Sequence, residues 1–142
     1  MSQQNYANHA RMVIGFHYVA SILGFAIFIG ALVNLYHTAP ENHYSAALIV
    51  ALIILLFIIG WYTRVFALKA QDRAIRAEEN LRHFVVTGKL LDSRLRMSQI
   101  IALRFASDEE FVALAQKAVA ENLSAKDIKQ AIQNWKADNY RV

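Results

Sequence analysis

The chain has 142 residues, of which 56% are hydrophobic, and it carries a net charge of +4 and no cysteine. The missing cysteines exclude disulfides and thiolate metal sites. The positive charge is too dilute to indicate nucleic-acid binding, and at this length the chain has room for little more than one small domain beside a membrane segment.

Residues 1–11 form a polar segment that contains Asn5, Tyr6, Asn8, His9 and Arg11. We expect this segment to lie in the cytoplasm. One interpretation is an interfacial turn that caps the first helix and meets lipid headgroups. The other is a docking patch for the C-terminal domain.

Residues 12–66 are predicted to form a transmembrane hairpin. Two runs in it, at about residues 12–36 and 44–63, contain no Asp, Glu, Lys or Arg. Both exceed the ~18 apolar residues that a spanning helix needs. Residues 37–43 remain as a short outer turn around Pro40.

Basic residues set the predicted orientation of the hairpin. The outer turn has none, whereas Arg11 precedes the first span and Arg64, Lys69 and Arg73 follow the second. Because basic flanks are retained in the cytoplasm, both termini are predicted to be cytoplasmic. The long first span is expected to be an anchor and not a cleaved signal peptide.

Small residues recur four positions apart in both spans, and such pairs let helix backbones approach closely. The simplest interpretation is that the hairpin packs on itself through them, and the second is contact between copies of the chain. The candidate helix-packing residues are Ala20, Gly24, Ala26, Gly30, Ala47 and Ala51.

Polar residues in and near the spans raise the question of a cofactor. A bis-histidine haem would need two facing imidazoles, but the second span has no His, so His17 has no partner in its own hairpin. His37 and His43 flank the turn without a convincing third metal ligand. Asn34 fits a hydrogen-bonding group at a helix end. We therefore expect no haem, metal or other cofactor.

After the second span a helix is predicted over residues 67–86, because no Gly or Pro occurs before Gly88. Apolar residues recur at spacings of three and four. This pattern favours packing against the later helices of the same chain, and the alternative is a self-associating stalk. The seam consists of Ala67, Ala70, Ala74, Ala77, Leu81 and Phe84.

Three further helices are predicted, at about residues 93–106, 108–121 and 125–136. Ser107 with Glu110 is a capping box, and Ser124 with Asp127 has the related pattern. The predicted fold is an all-α membrane protein, in which a two-helix hairpin precedes a small helical cytosolic domain of residues 67–142. The apolar faces of the last two helices are Phe111, Leu114, Ala115, Ala118 and Val119, and Ile128, Ala131, Ile132 and Trp135.

Four motifs carry a resemblance to a known family: Asn5 to Arg11, Leu91 to Leu95, Gln99 to Asp108, and Asn134 to Asp138. The chain resembles a functionally uncharacterised family of small two-span bacterial membrane proteins. The resemblance implies a bacterial inner membrane and this architecture. It brings no activity and no assigned site.

A polar cluster is predicted to join the N-terminal segment to the cytosolic domain and to contribute to assembly. Exchanging the charges of Asp92 and Arg94 should then disturb association. The candidates are Asn8, His9, Arg11, Asp92, Arg94 and Arg104.

The sequence has no phosphate loop, nucleophile elbow or zinc-protease motif, so no enzyme is expected. The favoured function is an accessory or scaffold protein that binds the lipid bilayer and associates with itself or with other membrane subunits. One alternative is an oligomeric pore or permease-like component. The other is a membrane-tethered DNA-binding module, which Lys126, Lys129 and Lys136 would allow although no nucleic acid is expected. No small-molecule substrate can be identified.

Overall fold

The computed structural model describes residues 4–6, 8 and 12–138, and these residues form an all-α structure. They divide into two compact units. The hairpin unit is Met12–Ala67, and the head unit joins described residues of the N-terminal segment to the chain from Leu68 onward.

The hairpin begins with a π-helical turn, Gly15–Ala20, that continues into α1, Ser21–His37. A 3-10 turn, Pro40–Asn42, leads into α2, His43–Thr87, which is 45 residues long. The second predicted span and the predicted helix over residues 67–86 are therefore one continuous helix. Proline starts the short turn, where its fixed φ and missing N–H are tolerated.

The two helices of the hairpin pack along a seam in which shielded residues recur at spacings of three and four. Phe57 of α2 lies in this seam, with its ring centroid 5.5 Å from that of Phe25 and 6.0 Å from that of Phe28. A Cβ atom on Gly24 would lie 3.0 Å from the Phe57 ring. The other seam residues with low exposure are Ala31, Leu35, Ala46, Val50, Ile53 and Gly60.

Gly24 is the member of the predicted small-residue set that lies in this seam. The spacing of the small residues does not show which of them face the other helix. Here the contact of the large Phe57 ring with a glycine decides which sides of the two helices face each other. Contact between copies of the chain through the other five residues stays a prediction. Those five, which the single chain leaves exposed, are Ala20, Ala26, Gly30, Ala47 and Ala51.

The head unit contains three short helices after α2: α3, Met97–Leu103, α4, Asp108–Ala120, and α5, Ala125–Ala131. Its core holds Leu103, Phe105, Phe111 and Ile128, each less than 2% exposed. The apolar face predicted for α4 is confirmed, since Phe111, Leu114, Ala115 and Ala118 are buried. Burying such side chains stabilises a domain by about 1.5 to 3 kcal/mol each.

Caps and a left-handed residue define the ends of these helices. At the start of α5 the Ser124 hydroxyl accepts from the N–H of Asp127 at 3.1 Å, and the Asp127 carboxylate accepts from the N–H of Ser124 at 3.1 Å. At the start of α4 the Ser107 N–H donates to Glu110 at 3.4 Å. Gly88 has φ +72° directly after α2. Both capping pairs were expected from local sequence and are confirmed.

The last helix ends earlier than its pattern predicts, at Ala131 instead of about residue 136. The following segment turns back and forms a single antiparallel bridge between Trp135 and Ala106. The Lys136 N–H donates to the carbonyl of Phe105 at 2.8 Å, and the Ser107 N–H donates to the carbonyl of Asn134 at 3.0 Å. These non-local bonds replace the helical bonds that the segment would otherwise make.

The predicted packing of α2 through its alanine seam is wrong. In the head unit α2 buries Ile75 and Glu79, while Leu81 and Phe84 of the seam are 63% and 51% exposed. The packed face is the more polar one because Arg82 on that face binds the residues beneath it. We call the exposed set, Ala70, Ala74, Ala77, Leu81 and Phe84, the outer face of α2.

Candidate protein-interaction surfaces

Arg82 fastens α2 to the rest of the head unit. Its guanidinium lies 4.2 Å above the centre of the Phe111 ring and donates to the carbonyl of Ala106 at 2.7 Å. It also forms ion pairs with Glu79 at 3.1 Å and with Asp108 at 2.6 Å. With its side chain only 11% exposed, Arg82 holds α2, the loop before α4 and the first turn of α4 together.

Burial and the ion pair with Arg82 shift the pKa of Glu79 in opposite directions. Glu79 is 7% exposed, and loss of water raises the pKa of its carboxyl although Arg82 opposes the rise. The exposed Asp108 has its pKa lowered by its hydrogen bond to Arg82. The contacts of Arg82 therefore have a structural role, in which its positive charge compensates the buried carboxyl of Glu79.

Two members of the predicted polar cluster pair with one another. The guanidinium of Arg94 binds the Asp92 carboxylate at 2.7 Å, and both side chains are exposed. The hydrogen bond from the Arg94 side chain lowers the pKa of Asp92 to about 2. This pair lies beside a cavity of about 460 Å³ that Leu91, Leu95 and Val119 also line.

The remaining members lie in other contacts. Arg104 stacks on the Phe105 ring at 4.7 Å and pairs with Asp138 at 3.2 Å. The Asn8 side chain accepts from the N–H of Asn5 at 2.6 Å. His9 and Arg11 lie outside the described residues. The role of the six residues in assembly stays a prediction.

Within the head unit, the N-terminal segment contacts the C-terminal end through a residue that the sequence did not single out. The side chain of Gln4 accepts from the backbone N–H of Asp138 at 2.8 Å. Asp138 is also the partner of Arg104. A side chain that binds a backbone N–H leaves no pattern in the sequence, so this contact could not be predicted.

Gln99 is a second residue that sequence reasoning missed. It is buried, its amide nitrogen donates to the carbonyl of Leu123 at 2.8 Å, and its oxygen accepts from the N–H of Arg96 at 2.7 Å. It thereby joins α3 to the connection between α4 and α5. Among the described residues, no group of three or more His, Asp or Glu could hold a metal ion.

Comparison with known proteins places the chain in a family. The model of a family of unknown function, DUF6526, matches residues 1–142. The chain belongs to DUF6526. A search of curated proteins and a search of solved structures found no match to this DUF6526 protein.

Two helical segments of the DUF6526 protein are long and apolar enough to cross a membrane, judged by length and composition. They are Gly15–His37, with 23 residues, and Pro40–Thr87, with 48 residues. The apolar windows of these segments are 6% and 11% buried, whereas the core helix of a soluble protein is mostly buried. Their apolar side chains therefore face outward.

The outer face of α2 exposes large apolar side chains on the DUF6526 head unit. Leu81 and Phe84 are joined there by Val85, which is 75% exposed. Large exposed apolar patches on a folded domain mark interaction sites. The opposite face of the same helix is packed, whereas the described residues of the head unit leave the outer face exposed.

Proposed function

We propose that this protein is a two-span protein of the bacterial inner membrane whose helical head unit makes protein contacts on the cytoplasmic side. It acts as a non-enzymatic accessory or scaffold protein. The observation that carries the proposal is the exposed apolar outer face of α2 in a head unit whose own core is already formed.

The outward-facing side chains of the hairpin support membrane anchoring. Ile22, Phe25, Ile29 and Leu52 are all more than half exposed, and together with their neighbours they make a surface that soluble monomers rarely show. Lipid covers such a surface without cost. The basic residues after the second span support a cytoplasmic head, because basic flanks are retained on that side.

The contacts of the buried charges support a structural role for the head unit. Arg82 and Glu79 are engaged with one another, with a carbonyl and with an aromatic ring. Contacts of this kind hold the helices of the head unit in place.

The test is the native mass and composition of the complex, extracted gently from its own membrane. We expect the wild-type chain in a complex larger than one copy, and Leu81→Glu to reduce that mass. Arg76→Glu, on the same helix but outside the outer face, is the matched control. Isolated monomers for the wild type, or a chain that separates from membranes in carbonate wash, would contradict the proposal.

The exchange Asp92→Arg with Arg94→Asp tests the predicted polar cluster in the same assay. If the cluster contributes to assembly, the mass should fall. The pore and DNA-binding alternatives remain predictions. They would be supported by solute flux above that of empty liposomes and by salt-sensitive DNA binding, respectively.

A further inference from the structure

The outer face of α2 has the spacing of a helix-pairing seam. From Ala70 its residues follow at intervals of four, three, four and three, which keeps them on one side of the helix. The alanines let a second helix come close, and Leu81 and Phe84 offer large side chains to bury. We propose that this face binds the same face of a second copy, with the two α2 helices parallel and in register.

The charges beside the seam identify a second copy as the occupant. Arg73 and Glu78 flank the outer face on its two sides, and both are exposed. In the heptad that the seam defines they occupy the g position and the following e position, five residues apart. Parallel helices in register bring these positions of the two copies together.

Arg73 and Glu78 are poorly placed to pair within one chain. Neighbours on a helix surface are three or four residues apart, not five. Across the described part of the chain, neither residue forms an ion pair. A two-fold dimer would instead make the pair twice, Arg73 of each copy with Glu78 of the other.

Membrane anchoring fixes the same geometry independently, and here the inference rests on the proposed function. Two copies inserted with one orientation have their α2 helices running in the same direction. An antiparallel pair is excluded for them. The charge pattern and the shared membrane therefore favour the same parallel arrangement.

Cysteine cross-linking tests the seam, because the natural chain has no cysteine and each introduced thiol is the sole one. The variants are Ala77→Cys and Leu81→Cys on the outer face, with Arg76→Cys and Lys69→Cys as exposed controls on the same helix. A disulfide needs Cα atoms within about 7 Å. After mild oxidation of the full chain in its membrane, we expect species of twice the chain mass for the first two variants alone.

Three results would overturn the dimer. They are equal cross-linking of all four variants, no cross-linking at Ala77 and Leu81, and cross-linking of these two to a different protein. The last result would leave the proposed accessory function standing. Loss of the proposed function would show instead as a chain that is not retained by membranes.

Charge reversal tests the register. Arg73→Glu or Glu78→Arg alone turns two attractive pairs into repulsive ones, and we expect the dimerisation constant to fall about tenfold. The double variant should recover wild-type dimerisation, and co-expressed single variants should prefer each other over themselves. A double variant as weak as the singles would overturn the parallel register, and Arg76→Glu controls for the change in net charge made by Arg73→Glu.

Discussion

Arg82→Met should destabilise the head unit severely. Methionine keeps most of the side-chain volume over Phe111 but removes every charged contact of the guanidinium. Glu79, which is 7% exposed, then remains buried without its cation. The uncompensated charge of Glu79 therefore accounts for most of the destabilisation.

The size of the loss in stability follows from the burial of the ion pair between Arg82 and Glu79. Breaking a buried ion pair by removing one partner costs about 3 to 5 kcal/mol, because the other charge is left uncompensated. The mostly exposed pair with Asp108 adds no more than about 1 kcal/mol. Replacing Glu79 by Met as well removes the orphaned charge. The double variant should therefore recover most of the loss, apart from about 1 to 3 kcal/mol for the carbonyl of Ala106.

Urea unfolding of the full chain in detergent measures the effect. The chain has two tryptophans, so Trp61→Phe leaves Trp135, whose ring lies 5.2 Å from that of Phe105, as a reporter of the head unit. A loss of about 4 kcal/mol lowers the urea midpoint by roughly 2 M. Arg76→Met should change stability by less than about 0.5 kcal/mol. A double variant no more stable than Arg82→Met would refute the reasoning.

Three further predictions concern single contacts. Burial raises the pKa of Glu79 above 4.5, so its protonation stabilises the fold at acid pH and this contribution is lost as pH rises through the folded pKa. Glu79→Gln should therefore gain stability relative to wild type as pH rises through the folded pKa of Glu79, and a stability difference in urea unfolding that does not change with pH would contradict this. Gly24→Leu should lower the thermal midpoint of the solubilised hairpin, costing about 1 to 3 kcal/mol through its clash with Phe57, whereas Gly30→Leu meets open space and should not. Gln99→Leu should cost about 1 to 3 kcal/mol in urea unfolding, because it removes the buried amide that donates to the carbonyl of Leu123 and accepts from the N–H of Arg96, and an unchanged midpoint would count against these contacts.

Features encoded locally were predictable from the sequence. The starts of α4 and α5 depend on serine and a carboxylate three residues later, so each pair is sufficient to mark its helix. The two apolar segments likewise follow from composition. Each can be recognised from an uninterrupted run of uncharged, mostly apolar residues, without knowledge of the rest of the fold.

Features set by distant partners were not predictable. Ile128, Ile132 and Trp135 have helical spacing, and nothing local reveals that Trp135 instead pairs with Ala106. The packed face of α2 was missed for a related reason. In the sequence alone, Arg82 and Glu79 resemble solvent-exposed helix charges, because their contacts with the loop before α4 are not visible there. Ile75, an apolar residue on the same face of α2, was the available sign that this face is packed.

The candidate site was predictable only in part. The alanine seam was recognised from its spacing. Whether the seam faces the core of the head unit or remains exposed depends on the contacts of Arg82. The polar cluster was chosen by residue type. The structure distributes its described members among separate contacts, in which Asp138 and Asn5 are partners that residue type did not indicate.

The carboxylate of Glu110 accepts from the backbone N–H groups of Gln133 and Asn134, both at 3.0 Å, while it caps its own helix. With the bond from Lys136 to Phe105 and the bond from Ser107 to Asn134, it closes a loop that encloses α4 and α5 entirely. Neither helix can open by fraying from a free end. Their amide protons should exchange together, in one cooperative step, at the rate at which this loop is released.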